Sequence, residues 1–233
     1  MCTVTFLPLS STNFILTSNR DEQKERETLA PKKYIEEGVE MVFPKDKISG
    51  GTWIGTSSNN RLVCVLNGAF KAHKRKASYR VSRGLISKDV LKTKNLAAYI
   101  EAIDLVQVEP FTMVIVDWSD SILKLYELVW DESQKYFNRL ENKPNIWSSS
   151  TLYSSDVKEI RKKWFKDWID QNEFTTARIL KFHHSKKGDS EQAVFMSRSY
   201  VETVSITSVK KENGEKIIQY EDIVHSKKST LNF

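Results

Sequence analysis

The feature that most constrains this chain is a succession of short apolar runs with an every-other-residue rhythm, separated by turn-forming clusters. Runs of this kind pair with their neighbours in sequence, so they dictate antiparallel hairpins. Residues 2–8 and 14–19 form the first pair, around Ser10-Ser11-Thr12-Asn13. Residues 53–57 and 61–67 form the second, around Ser58-Asn59-Asn60. Runs at Phe111–Trp118 and Ile122–Trp130 flank Ser119-Asp120, with further short strands expected at 134–140 and 145–150. Residues 200–209 and 216–223 close the chain around Asn213-Gly214, a dipeptide suited to the positive φ angles of a tight hairpin turn.

Helical periodicity falls between these hairpins, at residues 82–92 and 94–104. A third helix is expected from Asp156, with Glu159 completing a capping box. Its stripe of Val157, Ile160, Trp164 and Trp168, widened by Phe165 and Ile169, reads as a core-facing surface. A fourth helix covers 174–183 and leaves His183-His184 at an exposed end, not in a metal site. Residues 23–50 are polar and interrupted by Pro31 and Pro44, so a surface segment with little regular structure is expected there. With no internal repeat and no Pro/Gly-rich linker, residues 1–233 read as one domain. The fold class is α+β, with two sheets packed face to face and helices outside.

Composition narrows the function. No stretch is apolar enough to span a bilayer, and the start lacks the basic and apolar regions of a secretory leader. A cytoplasmic protein is expected. Two cysteines, Cys2 and Cys64, make no disulfide framework. Cys64 shares a strand face with Leu62 and Leu66 and reads as a buried small hydrophobe, and no metal site or cofactor is expected. The net charge of +6 admits a nucleic-acid partner, but the charge is scattered. The densest run, Lys71-Ala72-His73-Lys74-Arg75-Lys76, reads as a solvated loop, so no nucleic-acid partner is expected.

Cys2 carries the chemistry. Once Met1 is removed, its α-amine lies on the same residue as the thiol, with a peptide pKa of about 7.7–8.0. That amine can take the thiol proton and return it, the arrangement known for N-terminal threonine nucleophiles. The first hairpin brings the Asn19-Arg20-Asp21-Glu22 cluster towards the chain start. Arg20 there favours a thiolate, and Asp21 holds the ammonium form of the amine. Asn67, a polar residue ending an apolar strand face, is a candidate oxyanion donor.

These residues resemble a known family. Met1-Cys2-Thr3, Asn19-Arg20-Asp21-Glu22, Gly50-Gly51-Thr52-Trp53-Ile54-Gly55, Leu66-Asn67 and Ser82-Arg83-Gly84 follow the order of blocks in the NRDE family, that of transport and Golgi organisation protein 2. The blocks are confined to about the first 85 residues. That family in turn resembles N-terminal nucleophile hydrolases of the bile salt hydrolase and penicillin V acylase branch, whose members also begin Met-Cys. The resemblance implies a four-layer αββα sandwich of mostly antiparallel sheets. It also implies hydrolysis of non-peptide amide bonds in a small molecule. Cys2, Arg20, Asp21 and Asn67 would be catalytic, and Asn19, Glu22 and Trp53 would line the binding site. Where those hydrolases carry a further Asn, this chain has Ser148-Ser149-Ser150-Thr151, so Ser149 and Ser150 stand in as donors. An Arg common near the penultimate strand is missing around Thr203-Val204-Ser205. The alternative on the same fold is a non-catalytic carrier or trafficking factor for haem or another hydrophobic ligand. The Lys-rich, compact chain fits a bacterial protein, and no pattern fixes an oligomeric state.

Overall fold

The computed structural model describes residues 3–233. Cys2, the expected nucleophile, therefore lies outside the described residues. The chain divides into two compact units, Met1–Arg26 with Lys143–Phe233, and Glu27–Asn142.

The first unit holds a six-stranded antiparallel sheet. Its strands are β1 (Thr3–Pro8), β2 (Phe14–Glu22), β10 (Asn145–Ser148), β11 (Glu202–Glu212), β12 (Glu215–Asp222) and β13 (Lys227–Asn232), in the order β10-β1-β2-β11-β12-β13. Helices α3 (Ser155–Gln171) and α4 (Thr176–His183) lie on one face of it. Leu7, Ile15 and Ile146 from the strands meet Phe165 of α3 and Ile179 and Phe182 of α4 in one apolar cluster. The predicted Asn213-Gly214 turn is present, with φ of 51° and 87°.

The second unit holds a seven-stranded antiparallel sheet in sequence order. Its strands are β3 (Thr28–Glu36), β4 (Val39–Asp46), β5 (Ile54–Ser57), β6 (Arg61–Asn67), β7 (Phe111–Asp117), β8 (Lys124–Trp130) and β9 (Lys135–Leu140). Helices α1 (Arg83–Lys92) and α2 (Leu96–Ala102) belong to this unit, and α1 packs on β5 and β6. Glycines permit that packing. A Cβ on Gly51 would stand 2.5 Å from the Gly84 carbonyl carbon. Cys64 is fully buried on β6, and Lys71, Lys74, Arg75 and Lys76 are exposed, both as expected.

Four expectations are corrected. Residues 28–46 form a hairpin, where little regular structure was expected. Both prolines fall in one irregularity, where pairing jumps from Lys32↔Phe43 to Leu29↔Lys45. A bulge on an edge strand tolerates the missing N–H, so the ladder survives. The cap of α3 is Ser154, whose side chain accepts from the Val157 N–H, and Asp156 sits in the first turn. The polar cluster at 19–22 continues β2, because β11 pairs along it from Ile206↔Asn19 to Glu202↔Glu22. His183 is fully buried, and only His184 is exposed. Strand β13 had no sequence expectation.

Candidate active site

The site is built from the register of β1 on β2. Thr3 lies opposite Asn19 and, on its other side, opposite Ser148. The start of β1 is therefore flanked by Asn19-Arg20-Asp21 and by the serine run that ends β10.

Asn19 and Asp21 point to the helix face of the sheet, and the strand alternation turns Arg20 to the opposite face. The amide of Asn19 is wholly engaged. Its Nδ2 donates to the His183 carbonyl at 3.1 Å and the Val194 carbonyl at 2.9 Å. Its Oδ1 lies 2.6 Å from His183 Nδ1. Nδ2 is fixed as the donor, so Oδ1 must accept. His183 is then the neutral tautomer protonated on Nδ1, and its Nε2 accepts from Thr5 Oγ1 at 2.7 Å. Burial first, then the neighbouring charges of His184 and Arg161, push its pKa down to about 3. Asn19 thus locks β2 to the end of α4.

Asp21 is buried, and its carboxylate accepts from Thr203 Oγ1 at 2.6 Å and from the Tyr153 hydroxyl at 3.0 Å. Tyr153 is fixed in turn. The Arg161 guanidinium lies 3.6 Å from its ring centroid and that of Arg198 lies 5.5 Å away. Arg161 has no exposed surface. Nε donates to the Gln192 carbonyl at 2.8 Å, Nη1 to Thr3 Oγ1 at 2.9 Å, and Nη2 to the Ala193 carbonyl. A guanidinium so deep is held by acceptors in a fork geometry that an ammonium cannot match. It ties α3 to the first residue of β1.

Arg20 is buried and donates to the Arg26 carbonyl at 3.3 Å. Glu22 accepts from the Gln23 N–H and pairs with Arg26 at 3.1 Å, bracing the turn after β2. Ser149 and Ser150 are both buried. Ser149 Oγ lies 3.0 Å from Thr151 Oγ1, and Ser150 Oγ accepts from Lys158 Nζ at 2.8 Å. Burial, and then the charge of Lys162, pushes the Lys158 pKa down. Asn67 ends β6 half-buried, and Trp53 is buried just before β5, both in the second unit.

Sequence reading therefore finds Arg20 and Asp21 but misses Tyr153, Lys158, Arg161, Arg198 and Thr203. One signal was present. Arg161 continues the stripe of Val157, Trp164 and Trp168 at helical spacing, and a cation there is placed for burial. Among the described residues, no group of three or more His, Cys, Asp or Glu side chains is placed to hold a metal ion. No helix among them is long and apolar enough to cross a membrane.

Comparison with known proteins agrees with this arrangement. The family model described as transport and Golgi organisation 2 matches residues 1–224. No curated protein matches the chain. Among solved structures, a variant of conjugated bile acid hydrolase from Clostridium perfringens is similar at a TM-score of 0.61 and 9% identity, over 99% of this chain and 92% of that one. The Caenorhabditis elegans orthologue of N-acylethanolamine-hydrolyzing acid amidase gives 0.61 at 12% identity, over 89% and 92%. Penicillin V acylase from Agrobacterium tumefaciens gives 0.54 at 9% identity, over 100% and 86%. At such identities the likeness shows the fold: the α+β class of the N-terminal nucleophile hydrolases.

Proposed function

The chain belongs to the transport and Golgi organisation 2 family, and from that premise we propose that it is an N-terminal cysteine hydrolase of non-peptide amide bonds in a small molecule. The observation that carries this reading is the ladder Thr3↔Asn19. It sets the residue that follows Cys2 directly before the buried Arg20 and Asp21. The fold, shared with proteins whose names describe amide hydrolysis, supports the same chemistry.

In this proposal Met1 is removed and the Cys2 α-amine takes the thiol proton. The thiolate attacks the amide carbonyl carbon, and the carbonyl oxygen becomes an oxyanion. The ammonium returns its proton to the leaving nitrogen as the C–N bond breaks, leaving a thioester on Cys2. Water, deprotonated by the same amine, then releases the acid. Arg20 favours the thiolate. Asp21, held by Tyr153 and Thr203, steadies the ammonium form. Asn67, Ser149 and Ser150 are the donors proposed for the oxyanion. The Lys158 ammonium polarises the Ser150 hydroxyl, which makes it a stronger donor than a lone serine.

The test is a panel of N-acyl amides, read by acid release and by intact mass after an acid quench. A thioester adduct on Cys2, and turnover lost in Cys2→Ala, is the expected result. Turnover that survives Cys2→Ala overturns the assignment.

A further inference from the structure

Helix α3 carries two tryptophans that its core does not cover. Trp164 and Trp168 pack on the apolar cluster with one side and remain half-exposed on the other. They line an open groove of about 800 Å³ between α3 and α4, together with Phe182. That size lies within the range of small-molecule sites, roughly 300–1,000 Å³. Two adjacent indoles left partly open are unusual on a surface, since they forfeit apolar burial.

The rim of the groove is basic. Arg178, Lys181 and Lys187 face one carboxylate, Asp167. Among the described residues Lys181 has no ion pair or hydrogen bond through its side chain. Lys187 lies 5.3 Å from the Trp164 ring centroid, over the aromatic floor. The floor is also ordered. Trp168 stacks between Phe165 and Phe174, at interplanar angles of 4° and 11°. Neither indole N–H bonds to a protein acceptor among the described residues, so both remain available as donors.

We propose that this groove binds a small organic anion with a flat aromatic body. The rings lie on the Trp164–Trp168 floor, and the acidic group meets Lys181 and Lys187. An aromatic floor beside unneutralised cations fits that class better than a neutral apolar ligand, which would leave the cations unmatched, or a cationic one, which they would repel. The proposal is independent of the hydrolase reading, because no residue of the groove belongs to the proposed catalytic set.

The experiment is calorimetric titration of the full-length protein with anilinonaphthalene sulfonate and with its uncharged counterpart phenylnaphthylamine. The sulfonate is expected to bind at one site, roughly tenfold or more tighter than the neutral molecule, and to weaken as salt rises. Lys181→Glu with Lys187→Glu, both exposed positions with no structural bond through their charges, should weaken it by at least about tenfold without lowering Tm. Trp168→Ala tests the floor separately. Equal binding of the two probes, or unchanged binding in the double variant, overturns the proposal. So does a concentration-dependent dimer that the double variant disperses, since the groove would then be covered by a second copy of the chain.

Discussion

At the scale of single residues, buried polar groups decide most. His183 is neutral because its ring is enclosed, and its pKa is pushed from an ordinary 6.5 down to about 3. A histidine with a depressed pKa binds its proton in the unfolded chain before the folded one. Stability should therefore fall as pH drops below 6.5 towards 3, by at most about 1.4 kcal/mol per pH unit from this group. Urea midpoints taken from pH 7 to 4 should show this limb, and His183→Gln should flatten it while lowering the pH 7 baseline. A limb of equal slope in the variant would remove His183 as its cause. Arg161→Met leaves two carbonyls and the Thr3 hydroxyl without their donor, and should cost about 3 kcal/mol in urea unfolding. Arg161→Lys should recover less than half of that, because a point charge cannot reach three acceptors in a fork. Unchanged stability in Arg161→Met would refute the account of that network. Arg20 and Asp21 were legible because they are contiguous on a strand beside the chain start. Their supports were not. Tyr153 and Thr203 reach Asp21 across 132 and 182 residues of sequence, and no local pattern encodes such a pairing.

Elements were legible where local rules suffice. The hairpin around Ser58-Asn59-Asn60, the Asn213-Gly214 turn and the aromatic face of α3 all follow from period and turn chemistry. They failed where tertiary pairing overrides local signals. Pro31 and Pro44 argued against strands, yet the bulge between β3 and β4 absorbs both. Helix ends show the same limit. The carbonyls at the end of α1 are met by Asn59 and by Arg61, which pairs with Asp117 at 2.7 Å, and those at the end of α2 by Lys135. Each cap comes from a strand remote in sequence, and each places a donor where the last carbonyls are exposed. The seat of α1 on the glycine block makes a sharp prediction. Gly51→Ala would press a methyl group against the Gly84 backbone, 2.5 Å away, which no rotamer can relieve. The expected cost is about 2 kcal/mol, read as a lower urea midpoint. Gly38→Ala has open space around its Cβ and only a positive φ of 76° to oppose it, so it should cost less. Equal losses in the two variants would contradict the close approach.

At the scale of the whole molecule, the central claim is that one fold supplies a nucleophile, its base and its electrostatic partners from the chain start and the strand beside it. Family membership and fold agree with it, and the buried Asp21–Tyr153–Arg161 chain gives β2 the rigidity that such chemistry needs. Cys64 offers an internal control, because it is fully buried and should resist alkylation. The most direct test is therefore the intact mass of the native-start protein before and after brief iodoacetamide treatment, with Cys2→Ala and Arg20→Met beside it. The account predicts loss of Met1, a single rapid label on Cys2, no label in Cys2→Ala, and slower labelling in Arg20→Met. Retention of Met1, or a Cys2 that reacts no faster than an ordinary thiol, would contradict it.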